Sequence, residues 1–199
     1  MNPRICKSNA FVSLKQSGGI QSFTLLFSLS SVSIRCKCLN ERTPMADEIL
    51  LRDVIAGDLS VLYEQQTDAD AIRMAAFPSR DRDAFMAHWA KMMADDALTL
   101  KSIIFDGQVA GYISSWQQDG RRLVAFWIGK NFWGRKIASR ALAEFLQIVS
   151  TRPLFAHVAI HNIASIRVLE KCGFTISSDE TRSSTASDGV EEVVMKLDR

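Results

Sequence analysis

Two Asp-Gly pairs, Asp106-Gly107 and Asp119-Gly120, constrain what this chain can fold into more than any other local signal. They separate three runs rich in β-branched and aromatic residues, 98–105, 109–116 and 123–128. A two-residue hairpin turn that matches strand twist needs positive φ at its central positions, which Asp and Gly adopt at little cost. The middle of the chain therefore reads as an antiparallel three-strand meander. Ile49–Val54 reads as an earlier strand, and 153–160 and 190–197 as later ones, with a polar loop over Thr181–Gly189.

Helical periodicity fills the intervals. A helix opened by Asp58 carries Leu59, Leu62 and Tyr63. A second, capped by Ser79 or Asp81, sets Phe85, Met86, Trp89, Met92 and Met93 on one face, with His88 a structural or surface residue. A third begins near Ile137 and aligns Ala138, Ala141, Leu142, Phe145, Leu146 and Val149 in one stripe. The expected class is α/β (α+β): a mixed, mostly antiparallel sheet with helices on both faces.

Charge divides the chain of 199 residues unevenly. Residues 1–44 hold six Lys or Arg against one acid, Glu41, for a net of +5, so a chain of net +2 leaves −3 for residues 45–199. A basic balance confined to a tail gives no reason to expect nucleic acid as a partner. Cys6, Cys36 and Cys38 also lie in that tail, which leaves the domain Cys172 alone. Such a domain has no disulfide framework and suits the reducing cytoplasm. Cys36 and Cys38 are too closely spaced to suggest a metal site, and no metal is expected.

Within the tail, Ile20–Ile34 is apolar but broken by Gln21, Ser22, Thr24 and further serines, and is too short to span a bilayer. No membrane association is expected. The segment 1–44 reads as a dispensable extension ahead of a start at Met45, or as a basic, Ser-rich targeting peptide. The domain is taken as 45–199.

Two segments carry the chemistry. In the first, Gly134-Arg135-Lys136 precedes the helix at Ile137. The first-turn amides of a helix are unpaired and the helix dipole favours an anion there; Lys130, Arg135, Lys136 and Arg140 add positive charge. In the second, an apolar strand runs into His161-Asn162-Ile163-Ala164-Ser165-Ile166-Arg167-Val168-Leu169-Glu170-Lys171-Cys172-Gly173-Phe174. Asn162 can cap a short helix with Ile166 and Leu169 on one face, and Gly173 suits the left-handed position that ends it. Neither the Walker nor the dinucleotide glycine pattern occurs, so ATP and NAD are poor guesses.

The order of these segments resembles the GNAT superfamily of acyl-CoA-dependent N-acyltransferases. Phe126-Trp127-Ile128-Gly129-Lys130-Asn131-Phe132-Trp133-Gly134-Arg135-Lys136-Ile137-Ala138 is similar to its first signature, and Asn162 to Phe174 to its second, Asn-x-x-Ser/Ala, four residues, Glu-Lys-x-Gly-Phe. The resemblance looks closest to the branch that includes the ribosomal-protein N-terminal acetyltransferases. It spans residues 47–199 in element order and about forty residues at motif level.

That resemblance implies a sheet whose fourth and fifth strands splay apart to admit pantetheine, with acetyl-CoA as co-substrate. It implies that Trp127, Ile128, Gly129, Gly134, Arg135, Lys136, Ile137, Ala138, Ser139 and Asn162 bind the cofactor, Gly134–Ser139 gripping its pyrophosphate. An amine would attack the thioester directly in a ternary complex, with a strand amide near Ile128 holding the oxyanion. The acceptor would be a small-molecule amine or a protein N-terminal amine, and the protein a monomer or homodimer.

Two residues depart from the family pattern. Lys136 stands where a second glycine is usual, and Leu169 where many members carry a tyrosine that protonates the departing thiolate. Ser165 is then the expected proton donor, its alternative role being a hydrogen bond in the capping turn. Asn162 would position the cofactor or a water, and His161, beside it, is the candidate base by its intrinsic pKa. Deprotonation through ordered water is the alternative. Leu123 offers no carboxylate on the fourth strand, and Cys172 reads as a packed thiol rather than a nucleophile. These gaps leave a non-catalytic acyl-CoA-binding module as the rival reading.

Overall fold

A computed structural model describes residues 47–177, 184–185 and 190–199, all within a compact unit spanning Glu41–Arg199. The expectations for 1–44 and, apart from 184–185, for the 181–189 loop lie outside the described residues.

The elements follow in the order β1 (Ile49–Asp53), α1 (Leu59–Gln66), α2 (Ala69–Ala75), α3 (Arg82–Met93), β2 (Thr99–Phe105), β3 (Gln108–Gln118), β4 (Arg121–Ile128), α4 (Ile137–Ile148), β5 (Leu154–Ala159), α5 (Ile163–Lys171), β6 (Thr175–Ile176), β7 (Ser184–Thr185) and β8 (Glu191–Leu197). They build one mixed sheet of order β1-β2-β3-β4-β5-β8-β6, with β7 also paired to β8. Every pairing is antiparallel except β4 with β5. No helix among the described residues is long and apolar enough to cross a membrane.

Both Asp-Gly turns form as expected. Asp106 and Gly107 have φ of 48° and 76°, Asp119 and Gly120 of 49° and 75°, and the registers close at Phe105–Gln108 and Gln118–Arg121. Alternation along the strands then sorts side chains between two layers. On one face Ile103, Ile113 and Val124 pack with Ile137, Ala141, Leu142 and Phe145 of α4 and Leu169 of α5. On the other, Leu100, Val109 and Tyr112 meet Leu62 of α1 and Phe85 and Trp89 of α3. The Trp89 and Tyr112 rings meet edge to face at 4.9 Å, a favoured aromatic arrangement.

Three local features sharpen the sequence reading. The segment between α1 and α3 contains a helix, α2, capped by Asp68, whose Oδ1 accepts from the amides of Asp70 and Ala71; it ends at Ala76 in the left-handed region. Asp81 rather than Ser79 caps α3, accepting from Ala84 N at 2.8 Å. Asp58 does not cap α1 with its side chain. It closes a short 3-10 turn, Ala56–Asp58, and its buried carboxylate accepts from both Arg52 Nη atoms at 2.7 Å, from Ser102 Oγ at 2.7 Å and from Ile55 N at 3.1 Å. Those bonds tie β1, β2 and the turn together, which a solvent-facing cap could not do.

Burial pushes the Asp58 carboxyl up, but the Arg52, Ser102 and Ile55 hydrogen bonds outweigh it and hold it below the usual carboxylate range. A depressed carboxylate contributes stability that is present above its unfolded pKa, about 3.9, and is lost as pH falls through the folded value. Asp58→Asn leaves Arg52 without its counter-charge and is expected to cost about 3 kcal/mol near neutral pH. In urea unfolding the gap from wild type should narrow as the pH is taken below 4; a gap constant with pH would contradict the ion-pair account.

Candidate active site

Strands β4 and β5 pair for only two residues, Arg122 with Leu154 and Leu123 with Phe155. Beyond that point β4 stays with β3 as far as Ile128–Gly111, while β5 stays with β8 as far as Ala159–Glu192. The inner edges therefore open as a V, and their backbone groups lose the partners that a sheet normally supplies. Gly129 N donates to Ala110 O at 2.9 Å. By strand alternation the Trp127 amide also faces β3, and the amides of Phe126 and Ile128 face the split. The Ile128 carbonyl is occupied by the Trp133 indole, which donates to it at 2.8 Å.

After β4 the chain makes a 3-10 turn, Lys130–Phe132, and enters α4 through two left-handed residues, Gly134 at φ 77° and Lys136 at φ 60°. This geometry points successive amides the same way. The first amide of the segment with a backbone partner is that of Arg140, which donates to Lys136 O at 3.2 Å. Among the described residues the six amides from Gly134 to Ser139 have none. Such a nest at a helix N-terminus is an anion site.

Of the four cations expected around this turn, only Lys136 lines the adjoining cavity. The Arg135 guanidinium lies over the Phe105 ring at 5.7 Å. Arg140 Nη2 donates to Asp47 O at 2.7 Å. Lys130 binds Asp70 and lies 3.9 Å from Asp68, both at the start of α2.

On the other arm of the V, Asn162 is buried at the start of α5. Its Oδ1 accepts from Ser165 N at 3.1 Å, and its carbonyl accepts from Ile166 N at 3.1 Å. Gly173, at φ 90°, ends the helix region as expected. Leu169 is 1% exposed and belongs to the core, so the position of the usual tyrosine does not face the cavity. Ser165, one turn earlier, does. Cys172 lies against the Ser139 carbonyl at 3.4 Å, and burial pushes its thiol up, so it stays protonated and poorly nucleophilic.

His161 is exposed and lies outside the cavity lining. Its Nε2–H donates to Arg73 O, 3.1 Å away, near the end of α2. Together with the Lys130–Asp70 pair this contact has a structural consequence. Lys130 follows the end of β4, and His161 follows the end of β5. Helix α2 is thus fastened to both arms of the V and lies across its open end.

The cavity measures about 460 Å³. It runs along Phe126, Trp127 and Ile128 of β4, the Gly134–Ser139 segment (apart from Arg135), and Asn162, Ser165 and Val168 of α5. Of the residues expected to bind the cofactor, Gly129 and Arg135 lie outside the lining. Gly129 instead begins the turn, where a Cβ would sit within 2.9 Å of three Gln65 side-chain atoms. Ala71, Met74 and Ala75 line the cavity from α2; the resemblance implies acceptor specificity in the 68–78 segment that holds them, but the sequence reading did not name them as site residues. The signal was present: Asp68 heads an Ala-rich stretch with Ala71, Met74 and Ala75 at helical spacing. Among the described residues no group of three His, Cys, Asp or Glu side chains comes together as a metal site.

A splayed mixed sheet with an amide nest beside the split is the architecture of acyl-CoA-dependent transferases. The acetyltransferase (GNAT) domain model matches residues 48–175, and the chain belongs to that family, whose members are acetyl-CoA-dependent N-acetyltransferases. No curated protein matches the chain in sequence. Solved structures share the fold. Spermidine N-acetyltransferase from Vibrio cholerae, solved with CoA and spermine, superposes with a TM-score of 0.64 at 16% identity over 75% of this chain and 94% of that one. The aminoglycoside acetyltransferase AAC(6')-Ib, solved with coenzyme A, gives 0.62 at 18% over 76% and 95%. An acetyltransferase (GNAT family) from Bacillus anthracis gives 0.65 at 16% over 77% and 96%.

The left-handed backbone of Lys136 costs a side-chain-bearing residue about 1 kcal/mol relative to glycine. Lys136→Gly should therefore raise the melting temperature by about 3 °C, read by calorimetry. A lowered melting temperature would show that the Lys136 side chain contributes more to folding than its backbone strain removes.

Proposed function

We propose that this protein transfers the acetyl group of acetyl-CoA to a primary amine by direct attack in a ternary complex. One observation carries the reading: six unpaired amides, Gly134–Ser139, adjoin a cavity continuous with the β4–β5 split. The residues present fit coenzyme A. The nest and Lys136 would hold the pyrophosphate, and the free inner strand edges would accept the amide groups of pantetheine as an added strand does. Trp127, Ile128, Ala138, Ser139 and Asn162 then surround it.

The amine nitrogen attacks the thioester carbon. The carbonyl oxygen takes up the electron pair and accepts a hydrogen bond from the Ile128 amide, whose own carbonyl is held by Trp133. As the tetrahedral intermediate collapses, the carbon–sulfur bond breaks and the thiolate leaves. We assign its proton to Ser165 Oγ, since the Ser165 amide is already bound to Asn162 and Leu169 is in the core. The amine loses its proton to ordered water, and water returns one to Ser165 Oγ, so the serine ends neutral. His161, engaged with Arg73 O, positions α2. Positioning of the two substrates supplies much of the rate. The Asn-x-x-Ser pattern supports a place beside the ribosomal-protein N-terminal acetyltransferases, with a protein α-amine as one acceptor type.

Thiol release from acetyl-CoA in the presence of amines tests the activity. Ser165→Ala should lower kcat about 100-fold with little change in KM for acetyl-CoA; full turnover would remove the proton-donor assignment. In calorimetric titration, Lys136→Gly should bind acetyl-CoA within several-fold of wild type and Lys136→Glu far more weakly. Equal affinities for all three proteins would refute contact between Lys136 and phosphate.

A further inference from the structure

The bar that α2 lays across the V also describes the acceptor. Building on the transferase reading, we infer that the amine is singly charged and carried on a neutral, apolar stem, and that polycations are rejected. The wall that α2 contributes is Ala71, Met74 and Ala75, and Trp127 of β4 lines the same cavity. Among the described residues the cavity lining holds no carboxylate, and of its cations Lys136 is the one the transferase reading assigns to the pyrophosphate. A polyamine or aminoglycoside carries several ammonium groups, and each one left without a counter-charge in such a site is desolvated at a cost.

The acids closest in sequence to this wall are already engaged. Asp68 spends one oxygen on capping α2 and faces Lys130; Asp70 binds both Lys130 and Arg73. Hydrogen bonding to Lys130 and its charge hold the Asp70 carboxyl below its ordinary value, which keeps it ionised and paired. Lys130 therefore does two things at once. It fastens α2 to the end of β4, and it neutralises the charge that a polycation would seek.

The mouth has the same character. Met74 and Trp133, both cavity-lining, remain 36% and 39% exposed, offering an apolar ledge to whatever carries the amine. A small alkyl or aralkyl monoamine and a peptide α-amine followed by a small or apolar side chain share this chemistry. They differ in whether a peptide backbone continues past the ledge.

The test is an acceptor panel at fixed acetyl-CoA: 2-phenylethylamine, tetrapeptides beginning with Ala or Met and lacking Lys, spermidine, and kanamycin. Wild type should turn over the monoamine or the peptides with kcat/KM at least about tenfold above both polycations. Which of the two is preferred identifies the source. Met74→Glu places a carboxylate on the exposed ledge, where the fold tolerates it, and should shift the spermidine-to-monoamine ratio about tenfold toward spermidine. Lys130→Ala, which removes the cation facing Asp68 and Asp70, should shift it the same way.

Polycations acetylated as well as or better than the monoamines would overturn the inference and leave the transferase reading standing. A ratio unmoved by Met74→Glu would overturn it too. If no amine releases thiol but acetyl-CoA binds, the transfer activity itself fails, and this acceptor assignment with it.

Discussion

The site depends on a pairing that stops. Two residue pairs join β4 to β5, and after Leu123–Phe155 the strands part. Buried backbone amides without partners are costly, so a sheet does not open in its middle unless something else holds the arms. Here β3 keeps β4 and β8 keeps β5, while the α4 and α5 core packs behind the junction. The result is a cleft lined with unspent hydrogen-bonding capacity on a rigid frame, the kind of preorganised surface that binds an extended ligand without first having to order itself.

The same economy recurs around the cleft. Several polar groups beside the cleft are engaged elsewhere, while backbone amides along it are left free. Trp133 takes the Ile128 carbonyl and leaves the amide. Arg135 and Arg140 are spent on Phe105 and on Asp47 O, leaving Lys136 and the amide nest at the anion end. Lys130 and His161 are engaged with α2. The wall that α2 gives the cavity is apolar, and the carboxylates beside it, Asp68 and Asp70, are engaged with the helix cap and with Lys130 and Arg73.

Much of this was legible in the sequence. Asp-Gly turns, the helical stripe of α4 and the Asn162 cap are short-range signals, each decided by the φ preference, periodicity or capping of a few neighbours, and each formed as read. Pairings across long separations were not legible. Nothing local to Lys130 says that it meets Asp70 rather than phosphate, or to His161 that its ring reaches Arg73. Asp58 has the pattern of a cap, and only the approach of Arg52 and Ser102 from two strands makes it a buried anchor. Helix α2 was harder to read for a different reason: at seven residues, three of them alanine, it is short for the periodic signal that Ala71, Met74 and Ala75 carry.

The central claim is that the V between β4 and β5, together with the nest before α4, is where acetyl-CoA binds. Amide hydrogen exchange with and without acetyl-CoA tests this directly. The account predicts slowed exchange at Phe126 and Ile128 on the inner edge of β4 and from Gly134 to Ser139, with β1 and β2 unchanged. Protection absent from both segments, or confined to the opposite face around α1 and α3, would contradict it.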